Sequence, residues 1–213
     1  MIASSAPART IVLASSSPYR AELLRRIVPE FEQIAPGVDE SALESETVAA
    51  QVERLSRAKA RAIAAIRPGA LVVASDQLAQ TSDGGQLGKP GNAFGAAAQL
   101  HELSGTEVRF LTGVCVLGGH SDAESYLMIE TRVRLRVLSD VTIANYVALE
   151  RPFDCAGSFK AESLGIALFE WVRSDDPTAL IGLPLIATAT LLREAGFDAL
   201  GDDTSRGLLS SPG

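Results

Sequence analysis

Residues 10–27 read TIVLASSSPYRAELLRRI, an apolar run that stops at three serines before apolar residues return at helical spacing. The run over residues 10–14 is typical of a short buried strand, and Leu23, Leu24 and Ile27 fall on one face of a helix that begins at Pro18. The stretch therefore predicts a strand, a polar loop and a helix, in that order.

Strands and helices alternate along the rest of the chain in the same way. Helical spacing predicts helices over residues 48–66, 93–103, 139–150 and 184–196. Apolar or alternating runs predict strands over residues 71–74, 108–117, 124–137 and 166–172, with a hairpin turn at residues 83–85. This alternation within one domain predicts an α/β fold with a mixed sheet.

A length of 213 residues with 46% hydrophobic content suffices for one sizeable core. We predict one domain over residues 10–200, a flexible N-terminus over residues 1–9 and a disordered tail over residues 201–213. Residues 1–9 lack the pattern of a signal peptide. The most apolar region, residues 180–192, is interrupted by Gly182 and Pro184 and is too short to span a bilayer. We expect a soluble protein with no membrane partner.

The formal net charge of −7 argues against binding to a nucleic-acid backbone, which requires clustered Lys and Arg. A small anionic ligand stays compatible, because it needs only local positive charge. Cys115 and Cys155 lie in unlike contexts without CxxC spacing, which indicates neither a zinc site nor a disulfide framework. The expected compartment is the cytoplasm.

Lysine is rare in this chain: Lys59, Lys89 and Lys160 are the only three among 19 basic residues. An ammonium is a compact charge on a flexible stem, so a chain that otherwise uses arginine is expected to keep lysine where a small cation must reach an oxygen. The three positions indicate a polyanionic ligand. Chance placement is the alternative, and the surrounding segments decide between the two.

The loop with Ser15, Ser17 and Arg20 lies where the first strand leads into the first helix. A helix N-terminus offers unpaired N–H groups and partial positive charge, and the added hydroxyls and arginine make the loop suited to a phosphate. The plain alternative is a serine N-cap beside a surface arginine.

Asp76 follows the buried strand predicted over residues 71–74, at the end where open α/β sheets usually bind ligands. The alternative is an aspartate that begins a turn. Glu40 could share a divalent cation with Asp76, because Mg²⁺ commonly uses one or two carboxylates together with phosphate oxygens.

Arg132, Arg134 and Arg136 alternate with apolar residues. Three arginines in a row suggest phosphate binding, but period-2 spacing favours the solvated face of a half-buried strand. The other polar candidates receive structural interpretations: His101 and His120 on the surface, Trp171 in packing, and Cys155 packed beneath a loop.

These segments together resemble the Maf family of nucleoside triphosphate pyrophosphatases. The matching segments, in the family's order, are LASSSPYRAELL (13–24), VDE (38–40), RLSRAKA (54–60), SDQ (75–77), GKP (88–90), LSG (103–105) and LTG (111–113). Residues 146–150, CAGSFKAESLG (155–165) and IGLPLI (181–186) resemble the branch that acts on 7-methylguanosine triphosphate. The resemblance runs from about Ile11 to Gly196, nearly the whole chain.

The resemblance implies hydrolysis between the α- and β-phosphates, giving a nucleoside monophosphate and pyrophosphate with a divalent metal, Mg²⁺ or Mn²⁺. It also implies an elongated mixed sheet flanked by helices, of the inosine-triphosphatase-like type, and often a homodimer. The implied roles are proton acceptance from water by Asp76, phosphate binding by Ser15, Ser17, Arg20, Lys59 and Lys89, and metal binding by Glu40 with Asp76.

Substrate choice is expected to depend on Tyr19, Gln77 and Glu162, with Lys160 as a further candidate for the base pocket. In the branch that takes dTTP and UTP, these first three positions are typically Arg, Thr and Gln. The chain departs from the family pattern around residues 44–47 and at Ser56, where alanine is common. Two alternatives stay open: a dTTP/UTP pyrophosphatase, and a regulator of cell division that binds a nucleotide without cleaving it.

Overall fold

The computed structural model describes residues 10–118 and 123–201. Its strands are β1 Ile11–Ala14, β2 Glu32–Ile34, β3 Leu71–Thr81, β4 Gln86–Leu87, β5 Glu107–Leu117, β6 Glu124–Leu135 and β7 Phe169–Ser174. Its α-helices are α1 Pro18–Arg25, α2 Val48–Ile66, α3 Ala93–Leu103, α4 Asp140–Glu150 and α5 Leu185–Glu194. Short 3₁₀ turns occupy Ala156–Ser158, Leu164–Leu168 and Ala179–Ile181.

All seven strands form one mixed sheet in the order β2-β1-β3-β5-β6-β7, with β4 paired to β3 as a hairpin. β1 is parallel to β2 and to β3, while every other pairing is antiparallel. The prediction of an α/β fold with a mixed sheet is confirmed. None of the helices in the part of the chain that the structure describes is long and apolar enough to cross a bilayer.

The long strand β3 creates the opening in which the site lies. Its first residues pair with β1 as far as Val73 opposite Leu13, and β1 ends one residue later at Ala14. β3 continues beside β5 to Thr81. Beyond Val73 the edge of β3 that faced β1 is therefore free to meet side chains from α2 and from the loop after β1.

Three predictions about strand ends were wrong. Asp76 lies inside β3 rather than after it, because the pairing with β5 carries the strand on past the apolar run. β6 ends at Leu135, and Val137 is 89% exposed rather than part of the buried face. The last strand begins at Phe169, because the residues before it form a 3₁₀ turn.

The helix predictions were closer to the structure. α3 spans the predicted residues, and Ser139 caps α4 by accepting the N–H of Thr142 at 3.2 Å. α5 begins one residue after Pro184. Residues 1–9 and 202–213, for which we predicted flexibility or disorder, lie outside the described residues, as does His120.

Helices cover both faces of the sheet and hold β1 and β3 in place. Leu23 and Leu24 of α1 pack with α5 on one face, while Ile63 of α2 packs on the other. All three leucine and isoleucine side chains are at most 1% exposed. Burying each such side chain contributes about 1.5–3 kcal/mol, so the loop after β1 is held against a rigid support.

Candidate active site

The loop between β1 and α1 presents hydroxyl groups at a helix N-terminus. Ser17 is the N-cap of α1, and its Oγ accepts the N–H of Arg20 at 3.3 Å. Ser15 Oγ accepts the N–H of Ser17 at 3.1 Å. The N-cap interpretation is correct for Ser17. It does not exclude phosphate binding, because a hydroxyl that accepts one hydrogen bond still has a hydrogen to donate.

Arg20 is held by the loop before α5. Its Nε donates to the carbonyl oxygen of Gly182 at 2.9 Å, and Ser75 Oγ donates to the same oxygen at 2.9 Å. Gly182 has a φ of +123°, which disfavours any other residue there. Burial lowers the pKa of Arg20, and the nearby carboxylates of Asp76 and Glu40 oppose that shift. A guanidinium stays charged at neutral pH, so the cleft keeps this cation.

Lys59 joins two carboxylates across the cleft. Its Nζ lies 2.6 Å from Asp76 Oδ1 and 2.6 Å from Glu40 Oε1. The side chains of Lys59 and Asp76 are 5% and 7% exposed, whereas that of Glu40 is 62% exposed. The structure thus brings together three residues that are up to 36 positions apart in the sequence.

Asp76 keeps one oxygen without a partner. Its Oδ2 is buried and makes no hydrogen bond with the described residues. Burial raises the pKa of Asp76, although Lys59 and Arg20 pull it down. Burial would also raise the pKa of Glu40, but the hydrogen bond and charge of Lys59 bring it below its ordinary value. An unpartnered buried carboxylate oxygen is costly unless a ligand uses it, so Asp76 Oδ2 is the atom of this cluster that is open to a ligand.

A divalent metal fits these residues when a phosphate accompanies it. No group of three or more His, Cys, Asp or Glu that could hold a metal occurs among residues 10–118 and 123–201. Asp76 Oδ2 and Glu40 supply two carboxylates, and Mg²⁺ commonly completes such a set with substrate phosphates and water.

Two adjoining cavities surround this centre. The first has a volume of about 340 Å³ and is lined by the predicted phosphate residues Ser15, Ser17, Arg20, Lys59 and Lys89, together with Glu40 and Asp76. The second, about 190 Å³, is lined by the predicted specificity residues Tyr19, Gln77 and Glu162, with Phe110 and Phe159. Both are lined by Tyr19, Gln77 and Lys89, so the two cavities adjoin.

Gln77 is anchored on one side. Its amide nitrogen donates to the carbonyl oxygens of Ala179 and Leu180 at 2.8 and 3.1 Å, and it lies 2.9 Å from Thr112 Oγ1. Because carbonyl oxygens only accept, the amide nitrogen must point toward them. The carbonyl oxygen of Gln77 is the atom left to face a ligand.

Tyr19 and Glu162 lie at the rim of the second cavity. Burial and the charge of Asp154 raise the pKa of Tyr19. Burial also raises the pKa of Glu162, with Lys160 opposing and Glu150 and Asp154 adding to the shift. Lys160 is not a lining residue of either cavity. Its Nζ lies 3.9 Å from Glu150 and from Asp154, and Asp154 lines both cavities.

A larger groove of about 580 Å³ runs along Arg109, Arg132 and Arg134, away from this centre. These arginines are exposed and paired: Arg132 Nε lies 2.6 Å from Glu130, and Arg134 Nε lies 3.7 Å from Glu170. The paired and exposed state supports the interpretation of a solvated strand face.

The structural interpretations of the remaining candidates also agree with the geometry. His101 is exposed, with Nδ1 3.8 Å from Asp140. Arg173 stacks over the ring of Trp171 at 4.3 Å. Burial raises the pKa of Cys155 to about 12, which leaves its thiol protonated and unreactive at neutral pH.

Ser56 and Gly113, which pack next to Asp76, were not predicted from the sequence. Ser56 Oγ accepts the N–H of Asp76 at 3.1 Å and is fully buried. A Cβ on Gly113 would lie 2.9 Å from Ser56 Oγ, so only glycine lets α2 approach β5 this closely. Alanine is common at position 56 in the family, and nothing local in the sequence shows which backbone group Ser56 meets.

Residues 10–195 match the family model described as Maf-like protein. Among curated proteins, the chain is 50% identical over 191 residues to a 7-methyl-GTP pyrophosphatase of Cupriavidus metallidurans, covering 90% of this chain and 96% of the relative. It is also 50% identical over 187 residues to a protein of the same name from Xanthomonas oryzae pv. oryzae, covering 88% and 97%.

Two solved structures show weaker similarity. The Ham1 protein of Staphylococcus aureus aligns with a TM-score of 0.40 at 18% identity, covering 62% of this chain and 73% of that one. A HAM1 protein from Coxiella burnetii aligns with a TM-score of 0.41 at 13% identity, covering 60% and 73%. These scores are too low to place functional residues. The match over residues 10–195 and the curated relatives are decisive, and the chain belongs to the Maf family.

Proposed function

We propose that this protein hydrolyses 7-methyl-GTP to 7-methyl-GMP and pyrophosphate and so removes a modified nucleotide. The observation that carries the proposal is the unpartnered Oδ2 of Asp76 in a cationic cleft that adjoins a second cavity lined by Glu162. The curated relatives at 50% identity bear the name of this activity.

In the proposed reaction, water attacks the triphosphate, and Asp76 Oδ2 accepts a proton from that water. The anhydride bond between the α- and β-phosphates breaks, and pyrophosphate leaves. A raised pKa makes Asp76 a better proton acceptor than an ordinary aspartate, as long as it stays ionised at the working pH. Lys59 orients the carboxylate through its contact with Oδ1, which leaves Oδ2 toward the water.

The cations of the cleft hold the triphosphate chain. Lys89 is exposed and Arg20 is half-buried, so the two would contact it from different depths. The serine hydroxyls and the N–H groups at the start of α1 add neutral donors. Such fixed donors in a partly closed cleft stabilise charge that develops on the phosphates, and positioning of this kind carries most phosphoryl chemistry.

Asp76 and Glu40 would hold a divalent metal, Mg²⁺ or Mn²⁺, which when bound neutralises phosphate charge. The chain's own contribution is to keep both carboxylates ionised and close together. The Lys59 ammonium, 2.6 Å from each, does this before any ligand arrives.

The second cavity suits a methylated guanine. Methylation at N7 puts a positive charge on the ring, which gains from an aromatic face and from a nearby carboxylate. Tyr19 supplies the face. Glu162 supplies a carboxylate that can accept hydrogen bonds from the guanine N1–H and amino group.

A nucleotide-binding regulator without catalysis is the weaker candidate. A carboxylate beside a triphosphate repels the ligand unless a metal or a reaction requires it, and this cleft contains two. The deciding experiment measures pyrophosphate release from 7-methyl-GTP, GTP, dTTP and UTP with Mg²⁺ or Mn²⁺ at matched concentrations. We expect 7-methyl-GTP to have the highest kcat/KM. Binding without pyrophosphate release from any of the four would contradict the proposal.

A further inference from the structure

The turn that carries Glu162 is anchored on both sides by α4. Before Glu162, the N–H of Lys160 donates to Tyr146 Oη at 3.1 Å. After it, the N–H of Leu164 donates to Glu150 Oε2 at 3.0 Å. Both acceptors belong to the last two turns of α4. Glu162, which is exposed, therefore lies midway between two backbone N–H groups that are hydrogen-bonded to α4.

Glu150 contacts both flanks of this turn. Besides accepting the N–H of Leu164, its Oε1 lies 3.9 Å from Lys160 Nζ, and its backbone carbonyl oxygen accepts the same ammonium at 3.5 Å. The Glu150 side chain is only 14% exposed although it ends a surface helix. A carboxylate this well covered needs partners, and the partners it has lie on either side of Glu162.

The turn has a backbone hydrogen bond of its own around Glu162, from the Ser163 N–H to the Lys160 carbonyl oxygen at 3.3 Å, and this bond leaves the N–H groups of Lys160 and Leu164 to α4. The 3₁₀ turn Leu164–Leu168 has no side-chain cap of its own at Ser163, so the Glu150 carboxylate takes the place of a cap for its first N–H. The turn also folds back closely on itself, because a Cβ on Gly165 would lie 2.4 Å from the Lys160 carbonyl oxygen. Glu162 projects from this closed turn into the second cavity.

We propose that Glu150 is a positioning residue for base recognition: by holding Lys160 and Leu164, it fixes the Glu162 carboxylate at the base cavity. The inference rests on the proposed function, since it requires Glu162 to meet the base. If the turn were mobile, the Glu162 carboxylate would have to be ordered each time substrate binds. The loss of conformational entropy would then reduce the free energy gained from its attraction to the cationic ring.

The test measures kcat/KM for 7-methyl-GTP and for GTP with wild type, Glu150→Ala, Glu162→Gln and the double variant. We expect Glu150→Ala to lower the ratio of kcat/KM for 7-methyl-GTP to kcat/KM for GTP by about tenfold. A loss of this size corresponds to one weakened polar contact. In the Glu162→Gln background, Glu150→Ala should lower the ratio no further, because it acts through Glu162. Merely additive losses would overturn the inference.

Two further variants separate the contacts. Glu150→Gln keeps an oxygen for the Leu164 N–H but removes the charge that faces Lys160, so it should retain most of the substrate preference. Glu194→Ala is the matched control, because Glu194 also ends a helix, α5, and is exposed. It should leave the ratio unchanged.

Amide hydrogen exchange of a peptide that spans residues 160–168 gives a readout that does not depend on the substrate. We expect faster exchange in Glu150→Ala than in wild type and in Glu194→Ala. Unchanged exchange would overturn the inference, even if the wild type showed no preference for 7-methyl-GTP and the proposed substrate were wrong. A wild-type preference that Glu162→Gln abolishes and Glu150→Ala leaves intact would overturn it while the proposed function stands.

Discussion

Lys59 and Asp76 form a buried ion pair in which Nζ and Oδ1 lie 2.6 Å apart, and the second oxygen of Asp76 has no partner among the described residues. The two oxygens of one carboxylate thus differ. One is fixed by the protein, and the other is open to a ligand. In the proposed reaction, this asymmetry lets a buried and oriented Asp76 accept a proton from water.

The first prediction concerns Asp76→Asn. Asparagine keeps the size and can still accept a hydrogen bond from Lys59, but it cannot take a proton from water. We expect a loss of about 10²–10⁴-fold in kcat for pyrophosphate release. Equilibrium binding of 7-methyl-GTP in the absence of turnover should stay within a few-fold of wild type. Near-normal kcat in this variant would remove Asp76 from the proposed mechanism.

The second prediction separates the two phosphate lysines. Lys89 is exposed, so Lys89→Ala should lower kcat/KM, most strongly at low metal concentration, and leave the melting temperature unchanged. Lys59→Ala should lower both kcat/KM and the melting temperature, because it leaves the buried Asp76 carboxylate unpaired. Breaking a buried ion pair costs about 3–5 kcal/mol.

The control set for the lysines is Arg132→Ala and Arg134→Ala, on a face of β6 that lines neither of the two cavities. These changes should alter kcat/KM by less than about twofold, since exposed ion pairs contribute little. Losses equal to that of Lys89→Ala would show that the anion site is on the strand instead.

The sequence predicts those parts of the site that depend on neighbouring residues. The N-cap at Ser17 and the helix spacing after it are set by neighbouring residues, so strand, loop and helix were predicted correctly. The length of β3 was not, because the polar residues after Ala74 continue the strand only through their pairing with β5.

Contacts between distant segments left no local signal. That Lys59 lies between Asp76 and Glu40 depends on how α2 packs across β3. The same holds for Arg20 and Gly182, whose contact joins residues 162 positions apart. The family resemblance predicted Arg20, Glu40, Lys59 and Asp76 as members of one site, but not Gly182. The structure adds their distances and the unpartnered oxygen of Asp76.

The third prediction is a pH dependence of substrate preference. Burial raises the pKa of Glu162 above that of an ordinary glutamate. The carboxylate is charged only above that pKa, so the preference for 7-methyl-GTP over GTP should be full between that pKa and neutral pH, above which the methylated guanine loses its N1 proton and its net positive charge. The preference should fall as the pH drops through the raised pKa.

Below neutral pH, the ratio of kcat/KM for the two nucleotides isolates this effect, because the methylated ring keeps its N1 proton there and protonation of Asp76 or of the triphosphate acts on both substrates alike. In Glu162→Gln the ratio should be flat over the same range. Asp154→Asn removes a charge that raises the pKa of Glu162, so the midpoint should move to lower pH. A ratio that stays constant with pH in the wild type would show that the Glu162 charge does not select the base.

The last prediction is a change of substrate by Tyr19→Arg, Gln77→Thr and Glu162→Gln together. An arginine at position 19 would repel the cationic methylated ring, and glutamine at position 162 would lose the attraction of the carboxylate. Activity should move toward dTTP and UTP, as measured by kcat/KM for the four nucleotides.

Gln77→Thr carries an additional cost in stability, because threonine is too short to keep the hydrogen bonds to Ala179 and Leu180 that hold the loop beside Arg20. We therefore expect the double change at positions 19 and 162 to lose the preference for 7-methyl-GTP at an unchanged melting temperature, and the triple change to lower that temperature. A triple variant that still prefers 7-methyl-GTP would place base selection outside these three residues.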